Sequence, residues 1–486
     1  MIRLSPATLS QLRPGTGRPL YDRAMLRPRI VHLGLGAFAR AHLARYTEDV
    51  LNAPSRGRDG ADWGIAGVSL RHADQRDRLQ PQDGLFTALE RDGGGTRASV
   101  IGSVVSLHVA PEDPAAVVRL LAAPETAIVS LTVTEKGYCH DPATGRLDAA
   151  HPDISHDLAH ADSPRSAVGL LVAALAQRRQ RGQVPFTVLT CDNLPANGPL
   201  LAGLVRDFAA LRDAALASWI EARGAFPATM VDRIVPATTP ADLDAAAEAT
   251  GLSDVAPVTH EPFRQWVIED RFAGDRPAWE HVGAQIVTDV APFEHMKLRL
   301  LNGAHSALAY LGYLAGHETI CDAVGDPVLR RFVQRLWGEI LPMVPPPPGV
   351  ALQDYTASLL TRFANPAIRH RTWQIAMDGS QKLPQRLLAT IRERLHAGLP
   401  VRALAVAVAA WIRYVGGIDE AGRPIDVRDP LAAQLRGLAN GPDAVRQVLS
   451  VQPVFGADLG RDPRLVAAVT DAFDRLVRLG ARGALA

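Results

Sequence analysis

Residues 29–39 read RIVHLGLGAFA, and this stretch decides the fold of the first half of the chain. The apolar run at 30–33 predicts a buried strand, and the segment AFARAHLARYTEDVL after the glycines predicts a helix. A strand, a G-x-G-x-x-A turn and a helix are the setting of the dinucleotide-binding fingerprint. Gly34 permits the tight turn, and Gly36 lets the backbone approach a pyrophosphate. The predicted cofactor contacts of this turn are Gly34, Gly36, Ala37 and Phe38.

The end of the second predicted strand bears on the choice of cofactor. WGIAGVSL runs into Arg71, His72, Ala73 and Asp74, so no carboxylate stands at the strand tip. The 2′-hydroxyl of an NAD ribose then lacks its usual acceptor, and Arg71 is placed to meet the 2′-phosphate of NADP. Arg71 as a solvated surface residue is an equal interpretation. We predict NAD as the cofactor and leave NADP open.

The rest of the first half alternates strands with helices. Further short apolar runs, ETAIVSLTVT and PFTVLTCDN, flank helical patterns such as SPRSAVGLLVAALAQRRQRG. Strands that are apolar on both faces belong to a parallel sheet covered by helices. From about Pro292 the chain reads as long helical stretches. The sequence predicts a doubly wound Rossmann-type α/β domain at 1–290, a mostly α-helical domain at 291–486, and a cleft between them.

Composition narrows the class of partner. The 52 Lys and Arg residues nearly cancel the 51 Asp and Glu residues, so no net charge recruits nucleic acid or an anionic membrane. Three scattered cysteines exclude a disulfide framework and CxxC-type metal sites. No signal peptide and no 18-residue apolar run is found in the sequence. We predict a cytoplasmic protein with a small-molecule partner and no metal.

The segment 294–305, EHMKLRLLNGAH, carries the catalytic candidates. At about 100° per residue, Glu294, Lys297, Asn302 and His305 fall within roughly 140° of one helix face. Leucines share that side, which predicts partial burial and polar groups that need partners. Oxidation of an alcohol by hydride transfer needs a base for the hydroxyl proton and donors for the alkoxide. A lysine whose pKa is lowered can be that base, and a plain amphipathic face is the alternative.

Lys297-x4-Asn302-x2-His305 resembles the signature of the polyol-specific long-chain dehydrogenases, the mannitol dehydrogenase family. Seven further blocks also resemble the family and occur in family order. They are IVHLGLGAFARAH, LTVTEKGY, TCDNLPANG, FPATMVDRIVP, EPFRQWVIED, MDGSQKLPQR and GGIDEAGRPIDVRDPL. The resemblance therefore extends over nearly the whole chain.

The resemblance implies a role for each matching position. Lys297 would be the general acid or base, Asn302 and His305 would hold the oxyanion and the substrate carbonyl, and Glu294 would relay the proton to solvent. The implied substrate contacts are Asn193, Asp232 and Lys382. The family also implies no catalytic zinc, a monomer, and an active site between the two domains.

One departure from the family pattern bears on the substrate. Mannitol dehydrogenases have an Arg eight residues before the lysine of the DGS-x-K block, and here that position is Gln374. TWQIAMDGSQKLPQR resembles the fructuronate reductases instead, and Arg369 and Arg371 just before it match a uronate carboxylate. The preferred hypothesis is reversible reduction of D-fructuronate to D-mannonate. Oxidation of mannitol or a related polyol is the alternative, and a non-catalytic nucleotide-binding regulator is a remote one.

Overall fold

The structure is a computed structural model that describes residues 1–53, 62–141 and 144–486. It divides into two compact units, Met1–Val290 and Ala291–Ala486. None of the helices within these described ranges is long and apolar enough to cross a membrane.

The first unit combines a parallel sheet with smaller sheets and flanking helices. Its strands are β1 Arg27–Leu33, β2 Trp63–Ser69, β3 Phe86–Asp92, β4 Gly95–Ile101, β5 Val104–Val109, β6 Ile128–Leu131, β7 His140–Asp141, β8 Arg146–Leu147, β9 Thr187–Thr190, β10 Thr229–Asp232, β11 Val258–His260, β12 Gln265–Glu269 and β13 Gln285–Val287. Its helices are α1 Ala37–Ala41, α2 Leu43–Asn52, α3 Asp74–Leu79, α4 Pro114–Leu121, α5 Pro152–Ala159, α6 Ala167–Gln180, α7 Asn197–Arg212, α8 Ala214–Arg223 and α9 Pro240–Thr250.

The main sheet has the strand order β5-β2-β1-β6-β9, and every neighbouring pair in it is parallel. Alternate residues of β1 enter two different cores, Val31 and Leu33 on one face and Ile30 on the other. Both faces are therefore covered, as the continuous apolar runs of the sequence predict. The strand order reverses between β1 and β6, and ligands of such sheets bind at this point, beyond the carboxyl ends of the strands.

The second unit is helical. Its α-helices are α10 Ala291–Met296, α11 Gly303–Leu314, α12 Ile320–Gly325, α13 Pro327–Ile340, α14 Leu352–Phe363, α15 Thr372–Ala376, α16 Gly379–Leu383, α17 Ala389–His396, α18 Arg402–Val415, α19 Ala432–Ala439, α20 Ala444–Leu449, α21 Gln452–Phe455 and α22 Pro463–Leu485. Two π-helical segments interrupt them, which we call the first π-turn, Lys297–Asn302, and the second π-turn, Pro384–Leu388. The predicted fold class, a Rossmann-type α/β domain followed by a mostly helical domain, is confirmed.

Asp-Pro pairs start several of the helices. At α13 and α22 the proline occupies the first turn, and the Asp before it, Asp326 or Asp462, accepts a hydrogen bond from a backbone N–H of that turn. Proline has no N–H to leave unsatisfied there, and its fixed φ suits the helix. The aspartate satisfies one of the free N–H groups. These local signals let the sequence predict where helices of the second unit begin.

A buried carboxyl in the first unit supports a prediction about pH. Glu48 on α2 is buried, and it accepts hydrogen bonds from the Tyr21 hydroxyl at 2.6 Å and from Gly102 N at 2.8 Å. Burial outweighs these bonds and raises the pKa of Glu48 to about 7. The folded protein therefore holds a proton that the unfolded chain releases at lower pH.

We expect the free energy of unfolding to fall as pH rises from about 4.5 to about 7, because the native state binds the extra proton in this window. Glu48→Gln is expected to remove this part of the pH dependence, since its amide does not titrate. Urea unfolding at several pH values measures both proteins. An identical pH dependence in the variant would contradict the assignment to Glu48.

Candidate functional site: a glycine-turn cavity and a buried polar helix

The glycine turn after β1 has the geometry that its sequence predicts. Gly34 has a φ of +92°, and a Cβ there would lie 2.2 Å from the carbonyl oxygen of Thr132, so only glycine fits. Gly36 differs, because the nearest atom to a Cβ at that position is the Gly34 oxygen at 3.8 Å. Gly34 is therefore required by the turn itself. Gly36, by contrast, leaves open space in which a ligand can approach the protein backbone.

A buried polar chain holds this turn against β6. The His32 ring nitrogens lie 2.8 Å from Ser130 Oγ and 2.9 Å from Thr132 Oγ1, and Thr132 Oγ1 donates to the Gly34 oxygen at 2.8 Å. Burial lowers the pKa of His32 to about 4, so the imidazole is neutral near pH 7. Since the Thr132 hydroxyl proton goes to Gly34, His32 Nε2 donates to Thr132 and Nδ1 accepts from Ser130. The sequence alone assigned His32 no role.

A cavity of about 360 Å³ opens beside the turn, at the point where the strand order reverses. Its lining includes three of the predicted cofactor residues and several that sequence reasoning missed, namely Gly34, Gly36, Arg71, Thr132, Val133, Thr134, Gly137, Cys139, Arg165 and Ser166. Of the described residues that line it, none is Ala37 or Phe38. Phe38 instead stacks on His42, with ring centroids 5.0 Å apart. Thr132 and Thr134 follow closely after β6. The sequence signal that could have identified them is the presence of polar residues just after a buried strand.

Arg71 lies at the edge of this cavity and is paired with an acidic residue. Its Nη2 is 2.8 Å from Asp153 Oδ2, and its side chain is 61% exposed. Among the residues the structure describes, Cys139, His151 and Asp153 offer ligand atoms within 4.8 Å of one another. Burial, together with Asp153, raises the pKa of the Cys139 thiol to about 11. Asp153 is also the carboxylate that pairs with Arg71, and the absence of a metal stays a prediction.

Asp192 fixes the loop that lines the cavity. Its buried carboxylate accepts hydrogen bonds from Val133 N and Thr134 N, both at 2.9 Å, and from the Tyr138 hydroxyl at 2.8 Å. Sequence reasoning chose the next residue, Asn193, which is exposed. Asp192 therefore supports the wall of the cavity, and its signal in TCDN is an acidic residue just after a buried strand, while the role of Asn193 as a substrate contact stays a prediction.

We expect Asp192→Ala to weaken NADH binding and to lower stability. The variant leaves two backbone N–H groups without their acceptor, which costs about 1–3 kcal/mol for each buried group. NADH fluorescence titration and thermal unfolding measure the two effects. Asp244→Ala, which removes an exposed carboxylate from α9, is the matched control. Wild-type affinity in Asp192→Ala would show that the loop does not depend on this carboxylate.

Asp232 is the other predicted substrate contact in the first unit. It ends β10, pairs in register with Gln265 of β12, and is 3% exposed. A carboxylate with so little contact with water needs hydrogen-bonding partners. Its role as a substrate contact stays a prediction.

The predicted catalytic residues lie where α10 meets the first π-turn and α11. Glu294 is half-buried on α10, Lys297 and Asn302 are the first and last residues of the first π-turn, and His305 lies on α11. The last three are at most 8% exposed. The prediction of one regular α-helix through 294–305 is wrong, because the Gly303 N–H donates to the Leu298 oxygen five residues back.

The first π-turn changes which residues share a face. At an α-helical 100° per residue, Lys297 and Asn302 would lie about 140° apart. Hydrogen bonds from i to i+5 take more residues per turn and bring positions five apart toward the same side. Lys297 and Asn302 are five positions apart, so the π-turn aligns them better than the sequence predicted. Single π-turns inside α-helices often occur at functional sites.

Contacts distant in sequence hold the first π-turn. The Trp337 indole donates to the Leu300 oxygen at 2.9 Å, and Arg299 pairs with both carboxylate oxygens of Glu393. A Cβ on Gly303 would lie 2.9 Å from the Arg386 oxygen, so the second π-turn approaches closely there. That second π-turn begins at Pro384, whose ring and missing N–H disrupt a regular helix.

His305 is a buried and neutral imidazole. It stacks on Phe363 at 5.0 Å and meets His370 edge-on at 4.9 Å. Burial and the surrounding positive groups lower its pKa well below its usual range. The positive groups are Arg386, Arg362 and Lys382. A neutral imidazole can donate one hydrogen bond, as the predicted role of His305 at a substrate carbonyl requires.

The other predicted substrate contacts of the second unit divide into two groups. Lys382 is half-buried, and its Nζ donates to the Met377 oxygen at 2.5 Å, close enough to His305 to affect its pKa. Gln374 is exposed. Arg369 and Arg371 are also exposed and both pair with Glu318, at 3.4 and 3.6 Å. The structure brings Lys382 toward His305, and it directs the two arginines to a shared partner on the surface.

Comparison with known families covers both units. Residues 28–281 match the mannitol dehydrogenase Rossmann domain, and residues 289–477 match the mannitol dehydrogenase C-terminal domain.

Individual relatives are similar over almost the full chain. A D-mannonate oxidoreductase from Escherichia coli is 47% identical, over 96% of this chain and 97% of its own. A mannitol 2-dehydrogenase from Aspergillus terreus is 43% identical, over 95% and 93%. Among solved structures, Pseudomonas fluorescens mannitol 2-dehydrogenase in a ternary complex with NAD and D-mannitol matches with a TM-score of 0.92 and 40% identity, covering 100% of this chain and 99% of that one.

Proposed function

The chain belongs to the mannitol dehydrogenase family and is an NAD-dependent oxidoreductase, and from this premise we propose that it reduces D-fructuronate reversibly to D-mannonate. The observation that carries the proposal is the set of positive groups around His305, which includes Arg362, Lys382 and Arg386. A uronate brings a carboxylate, which such a positive site attracts, whereas a polyol brings no charge. The 47% identity to a D-mannonate oxidoreductase supports the same substrate.

The chain offers a fitting place for the dinucleotide. Gly34 and Gly36 let a pyrophosphate approach the backbone, and the neighbouring cavity is lined by Arg71, Thr132 and Thr134. NAD supplies, when bound, the hydride donor or acceptor for the reacting carbon. Arg71 is paired with Asp153, whose carboxylate offsets its charge, and NAD is the cofactor we assign.

The buried polar residues of the second unit supply the proton chemistry. In reduction, Lys297 gives a proton to the oxygen of the forming alcohol, and in oxidation it takes that proton back. Asn302 and neutral His305 donate hydrogen bonds to the same oxygen as negative charge develops on it. Glu294, at the half-buried start of this segment, passes the proton to solvent. Asn193, Asp232 and Lys382 bind the sugar hydroxyl and carboxylate groups.

Oxidation of mannitol to fructose is the second candidate. Its support is the 43% identical mannitol 2-dehydrogenase and the TM-score of 0.92 to a second mannitol 2-dehydrogenase. The hypothesis of a non-catalytic regulator has no such support, because the family consists of oxidoreductases. We further propose that the chain acts as a monomer on a free small molecule, with no nucleic acid or membrane involved.

Initial rates of NADH and NADPH oxidation with D-fructuronate and with D-fructose, measured side by side, test the proposal. Strong turnover of D-fructuronate with little turnover of D-fructose is the expected result. Turnover of D-fructose alone would overturn it in favour of the mannitol reaction. The reverse assay, with D-mannonate and NAD, is expected to show oxidation of D-mannonate, because one enzyme catalyses both directions through the same transition state.

A further inference from the structure

The segment 368–371 directs alternate side chains to opposite sides. The His370 oxygen accepts a hydrogen bond from Ile320 N at 3.0 Å, and Arg371 forms an antiparallel bridge with Thr319. Side chains of such extended backbone alternate. Ile368 is buried, while Arg369 and Arg371 are exposed. The residue of this segment that reaches the buried polar site is therefore His370.

His370 meets the predicted catalytic imidazole directly. Its ring centroid is 4.9 Å from that of His305, at an interplanar angle of 77°. Within the described part of the chain, two buried nitrogens of this pair, His305 Nε2 and His370 Nδ1, have no hydrogen-bond partner. A buried nitrogen without a partner costs free energy that a ligand can recover. Two such nitrogens on imidazole rings in edge-on contact indicate that a polar ligand binds here.

The charge around His370 indicates what kind of ligand this is. Burial, with the nearby charge of Lys382, lowers the pKa of His370 to about 4, so it is neutral near pH 7. A neutral imidazole donates one hydrogen bond while adding no positive charge to a site that already holds Lys382. A carboxylate accepts hydrogen bonds only, and the positive charge of Lys382 attracts it.

We propose that His370 is a substrate-binding residue that determines specificity, donating a hydrogen bond to the carboxylate of the sugar acid beside Lys382. This inference rests on the proposed function and assigns to His370 the carboxylate contact that the sequence predicted for Arg369 and Arg371. Phe363 stacks against the His305 ring, and His370 reaches the same ring edge-on. His370 thus combines contact with the substrate and contact with the residue at the reacting carbonyl.

The test compares His370→Leu and His370→Asn with the wild type, using NADH with D-fructuronate and with D-fructose. His370→Leu is expected to raise KM for D-fructuronate roughly tenfold to a hundredfold, as expected for loss of a hydrogen bond to a charged group. The kcat is expected to stay within a few-fold of wild type, because His305 and Lys297 remain. The rate with D-fructose, which has no carboxylate, is expected to change much less. His370→Asn, which keeps an N–H donor, is expected to recover part of the affinity.

Each other outcome has a defined meaning. An equal loss with both sugars in both variants would overturn the proposal, because it would show that His370 only supports the fold or the His305 ring. A rise in KM in Arg369→Leu and Arg371→Leu but not in His370→Leu would overturn it in favour of the arginines. A wild-type enzyme that turns over D-fructose but not D-fructuronate would overturn the proposed function itself, and the carboxylate contact with it. Circular dichroism and thermal unfolding check that His370→Leu folds, and His370→Asn serves the test if it does not.

Discussion

The Lys297→Ala variant is expected to lose turnover by roughly a factor of 100 to 10,000, the range that a positioned general acid or base contributes. Lys297 opens the first π-turn and is 8% exposed, with Asn302 aligned toward the same side. Without its amine, the proton for the substrate oxygen has to come from water. The affinity for NADH is expected to change little, because the glycine-turn cavity is formed by residues of the first unit alone. Initial rates and an NADH fluorescence titration measure the two quantities.

Two controls separate chemistry from folding in this experiment. Arg330→Ala removes an exposed cation from α13 and is expected to keep wild-type rates. Added methylamine is expected to restore part of the turnover of Lys297→Ala, since it supplies the missing amine to the vacated space. Thermal unfolding shows whether the cavity left by the side chain destabilises the second unit. Turnover near the wild-type level would exclude Lys297 as the acid and base.

Gly34→Ala is expected to be the most damaging change in the first unit. The new Cβ would lie 2.2 Å from the Thr132 oxygen, in a backbone conformation with φ of +92°. Strain and overpacking together are expected to cost roughly 2–5 kcal/mol of unfolding free energy. The displaced turn is also expected to lose NADH binding, because it forms the wall of the cavity. Chemical denaturation and NADH titration measure both losses.

Gly36→Ala is the matched variant. A Cβ at this position has no neighbour closer than the Gly34 oxygen at 3.8 Å, so folding is expected to stay near wild type. The methyl group would occupy the space by which the pyrophosphate approaches the backbone, and NADH affinity is expected to fall about tenfold or more. If Gly36→Ala binds NADH with wild-type affinity, the pyrophosphate does not approach the backbone at this turn. Equal destabilisation by both variants would show that the two glycines do not have separate roles.

Local sequence signals determined much of the fold. The run at 30–33 and Gly34 predicted a buried strand and a tight turn, and both depend on residues adjacent in the chain. The Asp-Pro pairs that start α13 and α22 are likewise signals between residues adjacent in the chain. Hydrophobic periodicity placed the long helices of the second unit, because a helix face repeats over a few residues. The family resemblance of the Lys297, Asn302 and His305 motif likewise needed only the sequence.

Tertiary structure decided the direction and alignment of the functional side chains. The first π-turn depends on Trp337, Glu393 and the close approach of the second π-turn, all far from Lys297 in sequence. Regular α-helical periodicity therefore could not predict how Lys297 and Asn302 align. The same holds for Asp192, whose supporting role depends on three hydrogen bonds to a loop 54 to 59 residues away in the sequence.

Residues 369–371 show most clearly what the sequence determined and what only the tertiary structure decided. The sequence determined that a cationic RHR stretch precedes the DGS-x-K block, and charge alone favoured the arginines as carboxylate contacts. Only the bridge between Arg371 and Thr319 decided that His370 points to His305, while both arginines meet Glu318. Side-chain direction in an extended segment follows from its backbone pairing, and that pairing joins residues about fifty positions apart.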